Sequence, residues 1–219
     1  MTESASLLKL MSWLSPVFPI GGFAYSAGLE QAVHAGHVDD LRSLVDWITV
    51  QITNGALWND AVILVETHRS SGDEPAIAEL SALCLALCIG QERLNETVNQ
   101  GTSFLAAVSH WVEPDRLPGR ETPLPVAVGM AAGLERIDPR LTVSAYLHAF
   151  VSNQLQCAIR LSVAGQEGAA HALASLEAVI ARTAGRAASA TLDDLGGAAF
   201  IADIAAMNHE TLQPRLFLS

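Results

Sequence analysis

Apolar residues recur along almost the whole chain at spacings of three and four, and runs that alternate polar with apolar are scarce. This pattern constrains the fold more than any single motif. Three-and-four spacing gathers apolar side chains on one face of a helix, whereas a half-buried strand needs a period of two. Leu41, Leu44, Val45, Ile48 and Ile52 form one such face, with Asp39 placed to cap the helix and Gly55 to stop it. A second helix opens at Asp73 with Pro75 and runs through Ile77, Leu80, Leu83, Cys84 and Leu87 towards Gly90. Leu94, Val98, Leu105 and Val108 mark a third. Pro125 to Ile137, Asp138 to Gly165, Glu167 to Thr183 and Leu195 to Met207 read as four more. Ser4 to Leu14 and Tyr25 to Ala35 precede them all. Alanine and leucine, both strong helix formers, dominate throughout. The spacing therefore predicts an all-α fold, a single globular helical domain of roughly eight to ten helices spanning residues 1–219. The proline-rich stretch Glu113 to Pro125 reads as a stiff crossover within that domain.

Charge narrows the function. With 12 basic against 23 acidic residues the net charge is −11, and no basic cluster exists. A nucleic-acid reader needs a basic face to neutralise phosphates, so nucleic acid is not an expected partner. Lys9 is the sole lysine, and no glycine precedes it in Leu8-Lys9-Leu10. A phosphate-binding loop, a kinase-type lysine and a Schiff-base lysine would all have to use it, which argues against each. The longest charge-free run, Leu141 to Ile159, carries Thr142, Ser144, His148, Ser152, Asn153, Gln154 and Gln156. It is too polar for a lipid-exposed span, so no membrane anchor is expected. The three cysteines, Cys84, Cys88 and Cys157, are too few for a disulfide scaffold and point to reduced core thiols in a cytoplasmic protein. The first residues do not read as a signal peptide.

Four stretches could carry chemistry. Ser15 to Glu30 holds Pro16 and Pro19, which keep the chain extended, then Gly21 and Gly22 at the mouth of the next helix, then Gly28. A packed helix–helix corner and a ligand loop are both open, and the absence of any basic residue between Lys9 and Arg42 favours the corner. Val17, Phe18, Ile20 and Phe23 must be buried in the core or against a partner. Next, Glu30, His34 and His37 lie within two helical turns, and Cys84 and Cys88 are four apart. Such pairs can hold nickel or zinc, yet neither brings the third ligand of a closed site, so no metal site is assigned. His209-Glu210-Thr211-Leu212-Gln213 begins like a zinc-protease helix but lacks the second histidine. No nucleophile elbow and no di-iron Glu-x-x-His pair appear. A polar line, Ser144, His148, Ser152, Gln156 and Arg160, reads as the solvated face of the longest helix. Finally the chain closes on Pro214-Arg215-Leu216-Phe217-Leu218-Ser219, an apolar tail that must dock on its own domain or on a partner.

The first and last stretches together resemble the UreF family of urease accessory proteins. The likeness lies in S-P-x-F-P-I-G-G-F-x-Y-S-x-G-L-E, Ser15 to Glu30, and in M-x-H-E-x-x-x-x-R-L-F-x-S, Met207 to Ser219. Glu92 to Glu96 and Gly165-Gln166 also fall where the family has recurrent polar features. The chain departs at Asn208 and Leu218, where the family often has a basic residue. The resemblance implies an all-helical, dimeric, cytoplasmic protein that is not itself an enzyme and carries no cofactor. It implies partners: the accessory protein UreD (also called UreH), the GTPase UreG and apo-urease, into which the complex inserts nickel. It implies that Tyr25, His209, Glu210, Arg215, Leu216 and Phe217 meet partners, with Arg215 helping to recruit the GTPase. Pro16, Pro19, Gly21, Gly22, Gly28 and Glu30 are then the structural part of the motif. A rival reading is a helical metal-binding protein or metal-dependent enzyme using Glu30, His34 and His37.

Overall fold

The computed structural model describes residues 2–119 and 121–219, so Arg120 of the proline-rich connector lies outside the described residues. The described chain is all-α, with ten α-helices and three short 3-10 segments. The helices are α1 (Glu3–Trp13), α2 (Leu29–His34), α3 (Leu41–Asn54), α4 (Ala56–Arg69), α5 (Glu74–Ala86), α6 (Gln91–Val108), α7 (Leu124–Leu134), α8 (Pro139–Arg160), α9 (Gln166–Ser189) and α10 (Phe200–His209). No helix among the described residues is long and apolar enough to cross a membrane.

The central helix is one that periodicity does not find. In α4, Leu57, Trp58, Ala61, Val62, Ile63, Leu64 and Val65 are all buried, which leaves no polar face to define an amphipathic pattern. Helix α4 packs against α3, α5, α7, α8 and α9. It approaches α7 closely because Gly129 carries no side chain. A Cβ there would stand 2.4 Å from the Leu64 carbonyl oxygen. Helices α8 and α9 pair along their lengths, and α6 packs on α7 across the connector.

Boundaries differ from the sequence reading for local reasons. Asp40, not Asp39, caps α3: its Oδ1 accepts the Ser43 N–H at 2.8 Å, and Ser43 Oγ accepts the Asp40 N–H at 3.1 Å. The helix expected from Tyr25 begins only at Leu29, because Ala27 (φ 50°) and Gly28 (φ 82°) are left-handed. The last helix starts at Phe200 rather than Leu195, and α9 continues past Thr183 to Ser189. Asp73 caps α5 as the sequence suggests.

At one end, Trp13, Phe18, Phe104 and Trp111 stack edge-on or tilted, fixing α1 and the loop after it to α6. Lys9 pairs with Glu135 beyond α7, the second tether of α1. The polar line on α8 is mostly solvated: His148, Gln156 and Arg160 are exposed.

Candidate functional site

The C-terminal tail meets the segment that leads into α2. Residues 215–219 lie in a groove made by the 24–26 segment, α2, α6 and α8. Leu218 N donates to the Ala24 carbonyl at 2.8 Å. The Ser219 carbonyl accepts the Ser26 N–H at 2.7 Å and its hydroxyl at 2.5 Å. Ser219 Oγ donates to Glu96 Oε2 at 3.1 Å. Phe217 is buried, with the Arg160 guanidinium 4.1 Å above its ring centroid. Arg160 also donates to the Phe23 carbonyl at 2.7 Å. The tail alternates: Phe217 and Ser219 point into the domain, while Leu216 and Leu218 are 62% and 56% exposed.

Glu30 fixes this arrangement. Its oxygens accept the backbone N–H groups of Leu216 (2.7 Å) and Phe217 (3.0 Å) and the ring of His209 (3.1 Å). Burial disfavours its charge, yet the Leu216 N–H, the His209 ring and the Phe217 N–H outweigh burial and hold its carboxyl below the usual range. Gly28 makes room for the contact between α2 and α10. With φ +82°, a Cβ would sit 2.9 Å from Ala206 N. Gly21 is also left-handed, at φ +71°, but its surroundings are open. Gly22 has neither constraint: its backbone is not left-handed, and a Cβ would reach only Ile20 at 3.9 Å. Gly21 and Gly22 permit a turn or a close backbone approach: Gly21 has the left-handed backbone of a turn, Gly22 meets no close neighbour, and Gly28 is the glycine that needs its size.

Helix α6 contributes the opposite wall. Glu92 pairs with Arg215 through Oε1 and with His209 Nδ1 at 2.7 Å through Oε2. Glu210 caps α6 from outside, its Oε1 accepting the N–H of Gln91 at 2.7 Å and of Glu92 at 3.3 Å. Deeper, Arg93 pairs with Asp60 at 2.5 Å and lies 3.6 Å from Glu96, while Tyr146 donates to Asp60 at 2.8 Å. Burial works against charge on Arg93, but Asp60 and Glu96 hold its pKa well above normal. Burial pushes the Glu96 carboxyl up. A cavity of about 30 Å³ lies between Gly28, Glu92, Arg93, Asp203 and Ser219.

The structure thus brings together most residues the motifs single out, though in unequal positions. Tyr25, His209 and Phe217 are buried in the chain's own domain, whereas Glu210, Arg215 and Leu216 are exposed. Arg215 is no unpaired charge, since it meets Glu92. Pro16 and Pro19 are exposed in the loop, Phe18 is buried, Ile20 is half-buried, and Val17 and Phe23 stand 90% and 72% exposed. Glu30, His34 and His37 do not converge: Glu30 is buried under the tail, and both histidines are exposed. Among the described residues no group of three or more His, Cys, Asp or Glu side chains is placed to hold a metal ion. Cys84 is buried and Cys88 half-buried, and burial raises both thiol pKa values.

Sequence reasoning named Glu92, Arg93 and Glu96 only as part of a recurrent polar feature and did not place Asp60, Tyr146, Ser26 or Arg160 in the site. Glu92 and Glu96 are four apart, so helical spacing alone places them on one face of α6. Nothing local marks Asp60 or Arg160, whose partners come from distant segments.

Comparison with known proteins now decides the family. The family model described as UreF matches residues 38–177, well over half of the chain. The chain belongs to the UreF family. It is similar to the urease accessory protein UreF of Rhizobium etli, 49% identical over 219 residues that cover 99% of this chain and 98% of the relative. The protein of that name from Agrobacterium fabrum is 50% identical over 217 residues, covering 98% and 97%. That from Mesorhizobium japonicum is 48% identical over 219 residues, covering 99% and 98%. The UreF match itself begins at residue 38, so the tail groove combines a segment before it with one after it.

Proposed function

We propose that this UreF-family chain is a urease accessory protein, acting as a non-enzymatic helical scaffold in maturation of the urease metal centre. In this reading it joins the accessory protein UreD (UreH) and the GTPase UreG to apo-urease in the cytoplasm, as a homodimer, and influences the GTPase by holding it in place. Its near-full-length similarity to proteins of the urease accessory name supports the role. The observation that carries the scaffold reading is the tail groove. Residues 15–30 and 207–219, far apart in sequence, build one surface whose inner side chains serve the fold and whose outer apolar ones stand exposed. Leu216, Leu218 and Phe23 stand out from it, and Glu210 and Arg215 border it with opposite charges. Apolar residues rimmed by charge are what a protein partner recognises.

The direct contacts then fall to Glu210, Arg215 and Leu216, while Tyr25, His209 and Phe217 act by shaping the surface. The test is co-purification of the full chain with UreD and UreG, with a thermal melt of each variant. Leu216→Asp should leave the melt close to the native one and sharply reduce partner capture and urease activation in cells. Unchanged capture with normal activation would overturn the reading.

A further inference from the structure

Arg93 lines a second cavity besides the one beside the tail. It holds about 20 Å³, room for a single water or ion, where the end of α5 meets α4 and the first turns of α6. Cys84 and Cys88 both line it, with Ile63, Leu87, Asp60 and Arg93 around them. Cys84 belongs to the last turn of α5 and is buried, while Cys88 follows the helix end and is half-buried. The chain tightens there: the Cys88 N–H reaches the Leu85 carbonyl at 3.2 Å. The Cys88 thiol folds back over the last turn, its Sγ 3.5 Å from the Cys84 carbonyl oxygen. Two thiols thus border one small space that is reached past Cys88.

The oxygen ligands nearby are already engaged. Asp60 meets Arg93 and Tyr146, Asn59 Oδ1 accepts the Gly196 N–H at 2.9 Å, and Thr97 Oγ1 accepts the Leu124 N–H at 3.2 Å. A divalent cation that requires four ligands would have to break these bonds. A soft monovalent cation is satisfied by two thiolates, and thiolate sulfur is the ligand it prefers. Such a complex carries a single negative charge, which the Arg93 guanidinium is placed to balance. Burial and the Asp60 charge raise both thiol pKa values, and the Arg93 charge works the other way. The remaining cysteine lies elsewhere, the Cys157 thiol donating to the Tyr25 carbonyl at 3.5 Å.

We propose that Cys84 and Cys88 form a two-coordinate site for a soft monovalent cation, with copper(I) as its representative ion. On binding, the S–H bond of each cysteine breaks and an S–Cu bond forms in its place. Each thiol gives its proton to solvent, and no electron is transferred. Ile63 and Leu87 keep water from the ion, and Cys88 is its way in. The bound ion ties Cys88 to the last turn of α5 and so braces the link from α5 into α6.

The test is a titration of the full chain, reduced and free of oxygen, with copper(I) in competition with the chromophoric chelator bicinchoninate. The native chain should take up about one equivalent, with the near-ultraviolet absorption of a copper(I) thiolate, release of protons and a raised melting temperature. Cys88→Ser, at a half-buried position, should keep the fold and lose copper(I) affinity by well over about tenfold. Cys84→Ser should do the same, and if it does not fold, Cys88→Ser decides alone. Cys157→Ser should bind as the native chain does. No uptake by the native chain, or undiminished uptake by Cys88→Ser, overturns the site. Loss of uptake in a folded Cys157→Ser, or nickel(II) held as tightly as copper(I), overturns it too.

Discussion

Ser26 and Ser219 stand 193 positions apart, yet the Ser219 carbonyl oxygen takes both the backbone N–H and the hydroxyl of Ser26. The chain's two motif-bearing segments are thus clasped, and the fold's interior reaches the clasp through Glu96, Arg93 and Asp60. Its parts can be tested one at a time.

Phe217 is the apolar anchor of the tail. Truncation to Ala removes a buried ring from beneath Arg160 and should cost about 3 kcal/mol, the low end for such a change because the site lies at the surface and can relax. Urea denaturation of native and variant chains measures it. A loss under about 0.5 kcal/mol, the usual range for surface substitutions, would mean that the ring is not packed as described.

Acid should loosen the clasp. The folded pKa of Glu30 lies below its ordinary value of 4.5, so its stabilising contribution is complete above that value and is lost as pH falls through the lower folded value. The native chain should therefore lose stability on acidification through and below about pH 4.5, while Glu30→Gln, weaker at neutral pH, should lose less over the same window. Denaturation midpoints at a series of pH values decide. Parallel curves for the two proteins would show that Glu30 does not hold the tail through its charge.

Glycine substitutions should separate the two halves of the loop motif. Gly28→Ala meets both an unfavourable left-handed backbone, worth about 1–2 kcal/mol, and the Ala206 backbone of α10. Gly22→Ala meets neither and should be close to neutral. Thermal melts of the two variants give the comparison. Equal losses would contradict the geometry.

The buried ion cluster should be intolerant of partial removal. Arg93→Ala strands Asp60 and Glu96 without their cation and should cost about 3 kcal/mol or more. Replacing Tyr146 by Phe removes one donor to Asp60 and should cost about 1–2 kcal/mol. The ordering, measured by chemical denaturation, is the check: Tyr146→Phe as damaging as Arg93→Ala would mean that the guanidinium is not the hub.

Amphipathic helices were legible in the sequence wherever one face is polar. The spacing of Leu41 to Ile52 locates α3, and Asp73 with Pro75 locates the start of α5. Helix α4 was not, because a helix buried on every side carries no periodic contrast between Gly55 and Asp73. The start of α2 was misplaced because left-handed Ala27 gives no compositional warning. At the site, the motif residues of the two segments could be read, but not their division into inward and outward positions. That division follows from the tail's extended path, which places Phe217 inward and Leu216 outward. Arg160 could not be assigned either, since its partners Phe23 and Phe217 lie far away in sequence.

The alternation of the tail has a consequence for how such a protein can diversify. Phe217 and Ser219 answer to the domain that carries them, and a change at either is judged first by folding. Leu216 and Leu218 are exposed and carry no such constraint from the fold. Substitutions at those two exposed positions can change the outer surface while the host scaffold stays intact, so surface and architecture are separately adjustable within four consecutive residues.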